Sequence, residues 1–419
     1  MVKVKKRDGS LQDFDSSKIT NAIMKAMRTG GKVSKNEAQN ISDEIYEKYK
    51  KLSYVDIKDI EISVFNYLVK HGYKNTAKSY EGYRAVREYQ RNIDNESEKQ
   101  IMSMLGNDDE YWTTENSNKN SELVTTKRDY MAGVMSKALS KKYIFTPDVV
   151  QADKEAVIKI HDLDYAIQHL TNCELINLED MLNYGTNING VHIDKPHMLT
   201  TATTIVTQII TAVTSSSYGG TTITLTHLAP FVRSSYNRFL DKYKNRGFNK
   251  EDCEKYAKED LHKEIEDAVQ TFNYQINSMS NVNGQSPFVS VFMYLNEDKE
   301  YTEEVAMLIE EFLKQRIQGM KNRDGHYITQ AFPKLLYCLD ENNIHEDSKY
   351  YYLTELAAKC TAKRMVPDYI SAKIMKQLKG DVYPCMGCRS FLTPDRTQTN
   401  IANANNWVRG KKYYGRLTA

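Results

Sequence analysis

The residues best suited to chemistry lie near the end of the chain, in the segment 383–392. Cys385 and Cys388 are three positions apart, with Met and Gly between them and a proline directly before the pair. Gly387 and this proline are typical of a loop rather than of a helix interior. Arg389 follows the second thiol, and a neighbouring cation favours the thiolate form of a cysteine. The segment therefore presents thiol chemistry on a loop.

Three functions are compatible with this pair of cysteines. A structural zinc site would need a second pair of Cys or His ligands. The chain has no other CxxC, and the nearest histidine, His345, is 40 residues before Cys385. A redox-active disulfide would normally lie between a strand and a helix, and no clear pattern of this kind surrounds the segment. The third function is a catalytic cysteine held on a loop.

Bulk composition sets wide limits on the class of protein. At 419 residues the chain is long enough for two or more domains, and a hydrophobic content of 40% supports a core. Its 57 basic and 55 acidic residues give a net charge of +2, which provides no argument for a nucleic-acid or membrane partner. The six cysteines are too scattered for a secreted disulfide framework, and no apolar signal or membrane span is present. We expect a soluble, cytoplasmic protein.

The first ninety residues predict a β-hairpin followed by four helices. Alternating apolar residues at 2–7 and 11–14 flank the turn sequence Asp8–Gly9. Apolar stripes of helical period begin near Asp15, around Ala38, near Asp56 and at Asn75, and the last stripe ends near Arg91. Residues 93–110 are mostly polar and predict a linker.

Basic side chains of this first module could bind a polyphosphate. Lys5, Lys6 and Arg7 lie on the predicted hairpin, and Lys18 lies in the first turn of a helix. The amino-terminal end of a helix already favours anions, so basic groups beside it suit phosphate. The alternative is an ordinary solvated basic terminus.

Alternation of strands and helices beyond residue 111 predicts an α/β fold. The segment 283–292 is a loop that leads into an almost continuously apolar strand, and 332–338 repeats this pattern. Helical patterns at 302–321 and 350–363 alternate with these strands. This order predicts an α/β barrel or a doubly wound sheet. The segment 199–213 fits either a helix or a strand, 231–275 is helical, and 215–222 is a loop of small residues without the lysine of a P-loop.

Two further positions carry reactive side chains. The segment 157–165 predicts a strand ending in a turn that contains His161, Asp162 and Asp164. These three could bind a metal, but a hydrogen-bonded structural turn is the better interpretation. Cys173 has apolar neighbours and, taken alone, is typical of a core cysteine.

The first module resembles an ATP-cone along its whole length. The similarity rests on Lys6-Arg7-Asp8-Gly9, Phe14-Asp15, Lys18-Ile19 and Ala22-Ile23, and continues in later helices as Asp56-Ile57 and Ala77-x2-Tyr80-x2-Tyr83-Arg84. The resemblance implies allosteric binding of ATP or dATP by Val4, Lys6, Arg7, Asp15 and Lys18. Gln12 and Tyr54 differ from the acidic residue and the threonine that many members of the family have.

The rest of the chain resembles the large subunit of anaerobic, class III ribonucleotide reductases. The similarity rests on a series of motifs between about residues 100 and 400: Glu115-Asn116-Ser117, Arg128-Asp129, Ile160-His161-Asp162, Asn172-Cys173, Tyr218-Gly219-Gly220, Asn283-Gly284-Gln285, Phe332-Pro333-Lys334 and Gly387-Cys388-Arg389. The resemblance implies an ATP-cone at 1–92, a linker at 93–110 and, at 111–419, part of a ten-stranded α/β barrel made of two five-stranded halves. The segment 383–392 is then the finger loop at the barrel centre.

The resemblance also assigns roles to individual residues. Cys388 is expected to become the thiyl radical that removes the 3′-hydrogen of a ribonucleotide, with Cys385 as the alternative. Cys173 would face it across the ribose and help to remove the 2′-hydroxyl. Asn172 would orient the substrate.

Several parts of the family's machinery are not found in this sequence. The resemblance implies a glycyl radical, installed by an AdoMet-dependent iron–sulfur activating enzyme, and a zinc site of four cysteines, all in a carboxy-terminal part. We therefore expect a split or truncated chain that is inactive alone, needs a complementary fragment and forms a homodimer. The alternatives are a non-catalytic regulator that binds ATP or dATP, and another glycyl-radical enzyme such as a formate-lyase relative.

Overall fold

The computed structural model describes residues 2–6, 10–26, 33–106, 119–168, 170–391 and 416–418, with side chains at all of these except 89–95 and 416–418. The chain divides into two compact units. One contains residues 1–102 and 141–151, and the other contains 103–140 and 152–419. None of the described helices is long and apolar enough to cross a lipid bilayer.

A three-stranded sheet and four helices form the first unit. The strands are β1 (Lys3–Lys5), β2 (Leu11–Asp13) and β3 (Tyr54–Asp56), and the helices are α1 (Ser16–Ala26), α2 (Lys35–Tyr49), α3 (Ile57–Lys70) and α4 (Lys74–Gly106). The predicted hairpin and four helices are confirmed, although the turn at Asp8–Gly9 lies outside the described residues. The sequence did not predict β3, which pairs in parallel with β1 through Val4 and Val55.

Helix α4 is longer than its sequence pattern predicted. The predicted end near Arg91 is wrong, because the helix continues through 93–105 and ends at Gly106. Residues 93–105 contain no glycine or proline and are rich in Glu, Lys, Gln, Met and Leu, which favour helix even without an apolar stripe. The role of 93–110 as a linker between domains stays a prediction.

Strands and helices alternate along the rest of the chain. The helices are α5 (Val124–Leu139), α6 (Pro147–Lys154), α7 (Leu178–Asn183), α8 (Leu199–Thr214), α9 (Ala229–Asn245), α10 (Lys250–Ser278), α11 (Thr302–Gln318), α12 (Glu341–Ile344), α13 (Tyr351–Arg364) and α14 (Ala372–Lys379). The strands are β4 (Glu174–Ile176), β5 (Thr186–Ile188), β6 (Val191–Ile193), β7 (Thr221–Thr224), β8 (Val289–Met293), β9 (Met320–Lys321), β10 (Tyr327–Ile328), β11 (Lys334–Leu339), β12 (Asp368–Ser371) and β13 (Arg416–Thr418).

The main sheet of the second unit has six strands in the order β12-β11-β8-β7-β4-β13. Its first five strands are parallel, and β13 pairs antiparallel with β4. Within the described residues β12 and β13 are the two edges of this sheet, so the barrel is incomplete and not closed. The α/β class is confirmed, and five parallel strands equal the number expected in one half of the barrel.

Alternate side chains of these strands serve two different cores. Val291 on β8 and Tyr337 on β11 point outward and pack against the surrounding helices. Phe292 and Leu336 point to the opposite, inner face, where they pack against α14 and the segment 382–385. The inner face therefore receives the start of the predicted finger loop.

Three predictions about local structure need correction or refinement. The strand predicted at 157–165 is wrong, because the Ile160 N–H donates to Asp153 at 2.9 Å instead of joining a sheet, and Asp162 has a φ of 55°. The segment 199–213 is the helix α8, in which Thr204 and Thr211 satisfy their hydroxyls on carbonyls four residues back. Part of the predicted loop 215–222 is strand β7.

Candidate active site

The segment 383–392 forms a tight turn rather than a helix up to residue 391, the last described residue of the loop. The Met386 N–H donates to the Ser390 carbonyl at 2.9 Å, and the Arg389 N–H donates back to the Met386 carbonyl at 2.8 Å. Arg389 has a φ of 65°, a left-handed conformation that reverses the chain directly after Cys388. The turn places Cys388, the exposed one of the six cysteines, at its tip.

Arg389 anchors this turn to the sheet. Its guanidinium donates to Asp368 on β12 at 2.7 Å and to the Ser290 hydroxyl on β8 at 3.3 Å. The sequence suggested that Arg389 favours the thiolate of its neighbour. In the structure its charge is paired with Asp368, and other groups lower the pKa of Cys388.

Two glycines let the turn approach the sheet closely. A Cβ at Gly220, just before β7, would lie 2.5 Å from the Cα of Gly387 and 2.6 Å from the ring of Phe288. Real Cβ atoms are not found at such distances, so any larger residue here would displace the turn. Backbone contact between Gly220 and Gly387 therefore sets the depth at which the finger loop sits.

Cys173 directly precedes β4 and belongs to the same site. The Tyr218 N–H donates to the Thr171 carbonyl at 3.1 Å, and the Glu174 N–H donates to the Gly220 carbonyl at 3.0 Å. These bonds hold Cys173 beside the glycine pair. Its thiol donates to the Asn172 side-chain oxygen at 3.3 Å.

The turn packs Met386 against Cys173, and the thiols of Cys173 and Cys388 lie close enough for each to shift the pKa of the other. Burial, together with this contact, raises the pKa of Cys173. Partial burial would also raise the pKa of Cys388, but donation from the Ser390 hydroxyl and N–H, with a smaller effect of the nearby Cys173 thiol, outweighs it, so that pKa is lowered. Cys173 is therefore held as the thiol, and Cys388 has more thiolate character.

Cys385 has a different environment from Cys388. It is completely buried among apolar side chains of the inner face, and burial raises its pKa to about 11. Because one cysteine of the CxxC lies in a core and the other contacts Cys173, the two do not form a joint metal or disulfide site. In the described part of the chain no group of three or more His, Cys, Asp or Glu side chains is placed to hold a metal ion.

Aromatic rings line the approach to Cys173. Tyr218 stacks on Tyr165 with a centroid separation of 4.2 Å and donates to Asp162 at 3.0 Å. Burial and this carboxylate raise the pKa of Tyr218 to about 12. Asp162 also pairs with His161 at 2.7 Å, so these residues form a hydrogen-bonded turn.

Four of the five residues expected to bind nucleotide lie in the described part of the first unit, on or next to β1 and α1. The exposed ammonium of Lys18 donates to the Gln12 side chain at 3.2 Å. Asp15 accepts from Ser17, chiefly its hydroxyl, which lowers the pKa of the carboxyl. The Val4 side chain is buried in the core, and its strand β1 is the central one of the sheet, paired on both edges. Lys6 is half-buried, and Arg7 lies outside the described residues.

Reasoning from the sequence missed Ser390 and the Gly220–Gly387 contact. Ser390 lies two residues after Cys388, and a hydroxyl so close to a candidate reactive thiol is a usable signal. The contact between two glycines 167 residues apart has no local signal. The structure brings Cys388, Cys173 and Asn172 together as predicted by the resemblance, while their catalytic roles stay predictions.

Comparisons with known proteins match two families along the chain. The family model described as anaerobic ribonucleoside-triphosphate reductase matches residues 115–414, and the model described as ATP cone domain matches residues 2–89. The chain is 34% identical over 395 residues to the anaerobic ribonucleoside-triphosphate reductase of Salmonella typhimurium, covering 93% of this chain and 54% of the relative. It is 35% identical over 317 residues to that of Enterobacteria phage T4, covering 74% of this chain and 51% of the relative. The chain thus spans about half the length of the curated relatives it matches.

Solved structures include similar chains at lower identity. The anaerobic ribonucleotide reductase from Thermotoga maritima with glycerol in the active site has 13% identity and a TM-score of 0.48, covering 73% of this chain and 48% of that chain. Family membership rests on the match over 115–414, which is more than half of the 419 residues. The chain belongs to the anaerobic ribonucleoside-triphosphate reductase family.

Proposed function

We propose that this chain contributes the substrate-reducing thiols of an anaerobic ribonucleoside-triphosphate reductase, in which Cys388 becomes a thiyl radical. The observation that carries the proposal is the convergence of Cys388 and Cys173, brought about by a turn that two glycines seat against the sheet. Two thiols converging from separate elements suit a substrate held between them.

The chemistry divides between the two thiols. A sulfur-centred radical at Cys388 takes a hydrogen atom from the ribose 3′-carbon and becomes a thiol. Cys173, held protonated, gives a proton to the 2′-hydroxyl, which leaves as water. An external reductant supplies two electrons, and two protons from it or from solvent complete the exchange: one becomes the new hydrogen at carbon 2′ and the other restores the Cys173 thiol. The 3′-hydrogen is finally returned from Cys388, which becomes the thiyl radical again.

The surroundings of the thiols support this division of labour. The raised pKa of Cys173 keeps its proton available for transfer, and Asn172, which accepts from that thiol at 3.3 Å, can also orient a ribose hydroxyl. Burial of Met386 and Leu175 beside Cys173 shields that thiol from water. Positioning of this kind accounts for much of the rate that enzymes achieve.

We further propose that the first module is an ATP-cone which senses ATP and dATP. The domain limits that fit the matched ranges are 1–92 for the ATP-cone, 93–110 for a linker and 111–419 for part of the barrel. Lys6, Arg7 and Lys18 would contact phosphates, and Val4 and Asp15 the remainder of the nucleotide. The module would adjust deoxynucleotide supply for DNA synthesis in the cytoplasm.

The proposed reaction requires partners. The radical would come from a glycyl radical made by an AdoMet-dependent iron–sulfur activating enzyme, and both that glycine and the zinc site would lie in a complementary polypeptide. The assembled enzyme would be a homodimer acting on ribonucleoside triphosphates.

An anaerobic turnover assay tests the proposal. The chain is incubated with a ribonucleoside triphosphate, activating enzyme, AdoMet, formate or another reductant, and a carboxy-terminal polypeptide of a relative that carries the glycyl-radical segment. We expect deoxynucleotide only when that polypeptide is present. Turnover by the chain alone would overturn the requirement for a complementary part, and ATP binding without turnover in any mixture would favour a regulator.

A further inference from the structure

A lysine on the inner face of the sheet has no assigned role. Lys334 begins β11 and is the register partner of Ser290 on β8, which in turn is the partner of Thr222 on β7. Register partners in a parallel sheet point to the same face. Arg389 of the finger loop contacts the Ser290 hydroxyl at 3.3 Å, so this row of side chains faces the loop.

The ammonium of Lys334 lies beside the base of the finger turn. It is 4.4 Å from the centroid of the Phe288 ring. Both glycines of the close contact lie against the same ring: an added Cβ would be 2.6 Å from it at Gly220 and 3.0 Å from it at Gly387. The lysine therefore reaches over the aromatic ring against which the residue before Cys388 packs.

The charge of Lys334 has no direct counter-ion. No carboxylate oxygen of the described residues lies within 4.0 Å of its ammonium, whereas the nearby Asp368 is paired with Arg389. Burial, and then the positive charge of Arg389, lower the pKa of Lys334. Two cations and one carboxylate leave an excess of one positive charge at this place, and a half-buried cation favours an anionic partner.

Between the lysine and Cys173 lies an unsatisfied hydrogen-bonding group. The Thr222 hydroxyl is buried and has no hydrogen-bond partner among the described residues. Strands β11 and β4 are separated by three strand spacings, or about 14 Å. The extended side chain of Lys334 would cover roughly 6 Å of that distance. The remaining length suits a chain of phosphates.

We propose that Lys334, with Arg389 beside it, binds the phosphate chain of the ribonucleotide whose ribose lies between Cys173 and Cys388. The identity of the nucleotide rests on the proposed function, but the anion site does not. A carboxylate of the reductant has the same recognisable chemistry, so the test includes both kinds of anion.

Selective alkylation of Cys388 measures the electrostatic effect of the Lys334 charge on reagents that approach this thiol. Cys388 is exposed and the other five cysteines are buried, so mass spectrometry can follow this thiol in the intact chain. Iodoacetate carries a negative charge and iodoacetamide does not. In Lys334→Gln we expect the ratio of iodoacetate to iodoacetamide rates to fall roughly three- to ten-fold at low ionic strength. Lys334→Arg should keep the parent ratio, as should Lys373→Gln, which changes an exposed lysine of α14.

A second arm identifies the anion. Inorganic tripolyphosphate should slow iodoacetamide alkylation of Cys388 in the parent and not in Lys334→Gln, while formate should have a smaller effect. An unchanged rate ratio in Lys334→Gln would overturn the anion site, and protection by formate alone would overturn its assignment to phosphate. If Lys334→Gln changes the rate ratio and tripolyphosphate protects Cys388, but the anaerobic assay shows no turnover, the anion site stands and only the proposed activity is overturned.

Discussion

At the scale of single residues, the reactivity of Cys388 depends on what donates to its sulfur. The Ser390 hydroxyl and N–H donate, and with a smaller effect of the nearby Cys173 thiol they outweigh the burial that would raise the pKa. Cys385, three residues earlier, has no such donors and has a pKa of about 11 because it is buried. The difference within one CxxC explains why only one of its cysteines is suited to chemistry.

Replacing Ser390 with alanine should make Cys388 less reactive at neutral pH. The Ser390 hydroxyl stabilises the thiolate of Cys388, so its loss raises the pKa of that thiol. At pH values below the ordinary pKa of a cysteine, a smaller fraction of Cys388 is then thiolate. We expect iodoacetamide alkylation at pH 7 to slow by roughly three- to ten-fold, because solvent around the exposed Cys388 leaves only part of the about 1.5–3 kcal/mol that a hydrogen bond to a charged group is worth. The rates should converge at a pH above both pKa values.

The control is Ser53→Ala, which removes an exposed serine of the first unit. A pH profile of alkylation that is the same for Ser390→Ala and the parent would show that Ser390 does not set the thiolate fraction.

At the scale of elements, a contact between two glycines positions the finger loop. Replacing Gly220 with alanine would bring a Cβ to 2.5 Å from Gly387. We expect a cost of about 1–3 kcal/mol in the free energy of unfolding, as for other overpacked sites. Displacement of the turn should also move Cys388 away from Cys173 and raise its pKa, which alkylation measures.

The matched control is Gly82→Ala in helix α4, where an added Cβ has no neighbour within 4 Å. Alanine there should raise the free energy of unfolding by up to about 1 kcal/mol. Equal denaturation midpoints for Gly220→Ala and the parent would contradict the close approach.

Long periodic elements could be predicted from the sequence, whereas short strands could be predicted only where a turn sequence marks a hairpin, as for β1 and β2. Apolar stripes predicted α1 to α3, α11 and α13 because each helix buries one face. Strands β3 and β12 have only three and four residues, too few for a periodic signal, and sheet neighbours far along the chain create them. The end of α4 was predicted too early because the residues of its last turns favour helix by their intrinsic propensity but do not form an apolar stripe.

The candidate site was predictable only in part. Resemblance supplied Cys388, Cys173 and Asn172, whereas bottom-up reasoning treated Cys173 as a core residue. The Gly220–Gly387 contact and the row of Ser290 and Lys334 depend on strand register, which brings together residues more than forty positions apart. No local pattern encodes such distances.

At the scale of the whole molecule, two compact units carry two different kinds of ligand chemistry. The first has exposed basic groups at the end of a small sheet, and the second has a pair of thiols on the inner face of a parallel sheet. The two units match separate family models, at 2–89 and 115–414. Each proposed activity can therefore be tested with a substitution in one unit.

Replacing Lys18 with glutamine should weaken ATP binding. Loss of one charge-assisted contact to phosphate corresponds to about a tenfold increase in Kd. Isothermal titration calorimetry with the full chain measures this, and Lys25→Gln, which changes an exposed lysine at the other end of α1, is the control. Equal affinities in both variants would exclude Lys18 from the nucleotide site.

The central claim is that Cys388, and not Cys385, carries the radical that reduces ribonucleotides. The most direct measurement is deoxynucleotide formation in the reconstituted anaerobic mixture by the parent, Cys388→Ser and Cys385→Ser. We predict no detectable product from Cys388→Ser, because serine cannot form a thiyl radical, and retained turnover from Cys385→Ser. Product from Cys388→Ser at a rate comparable with the parent would contradict the account.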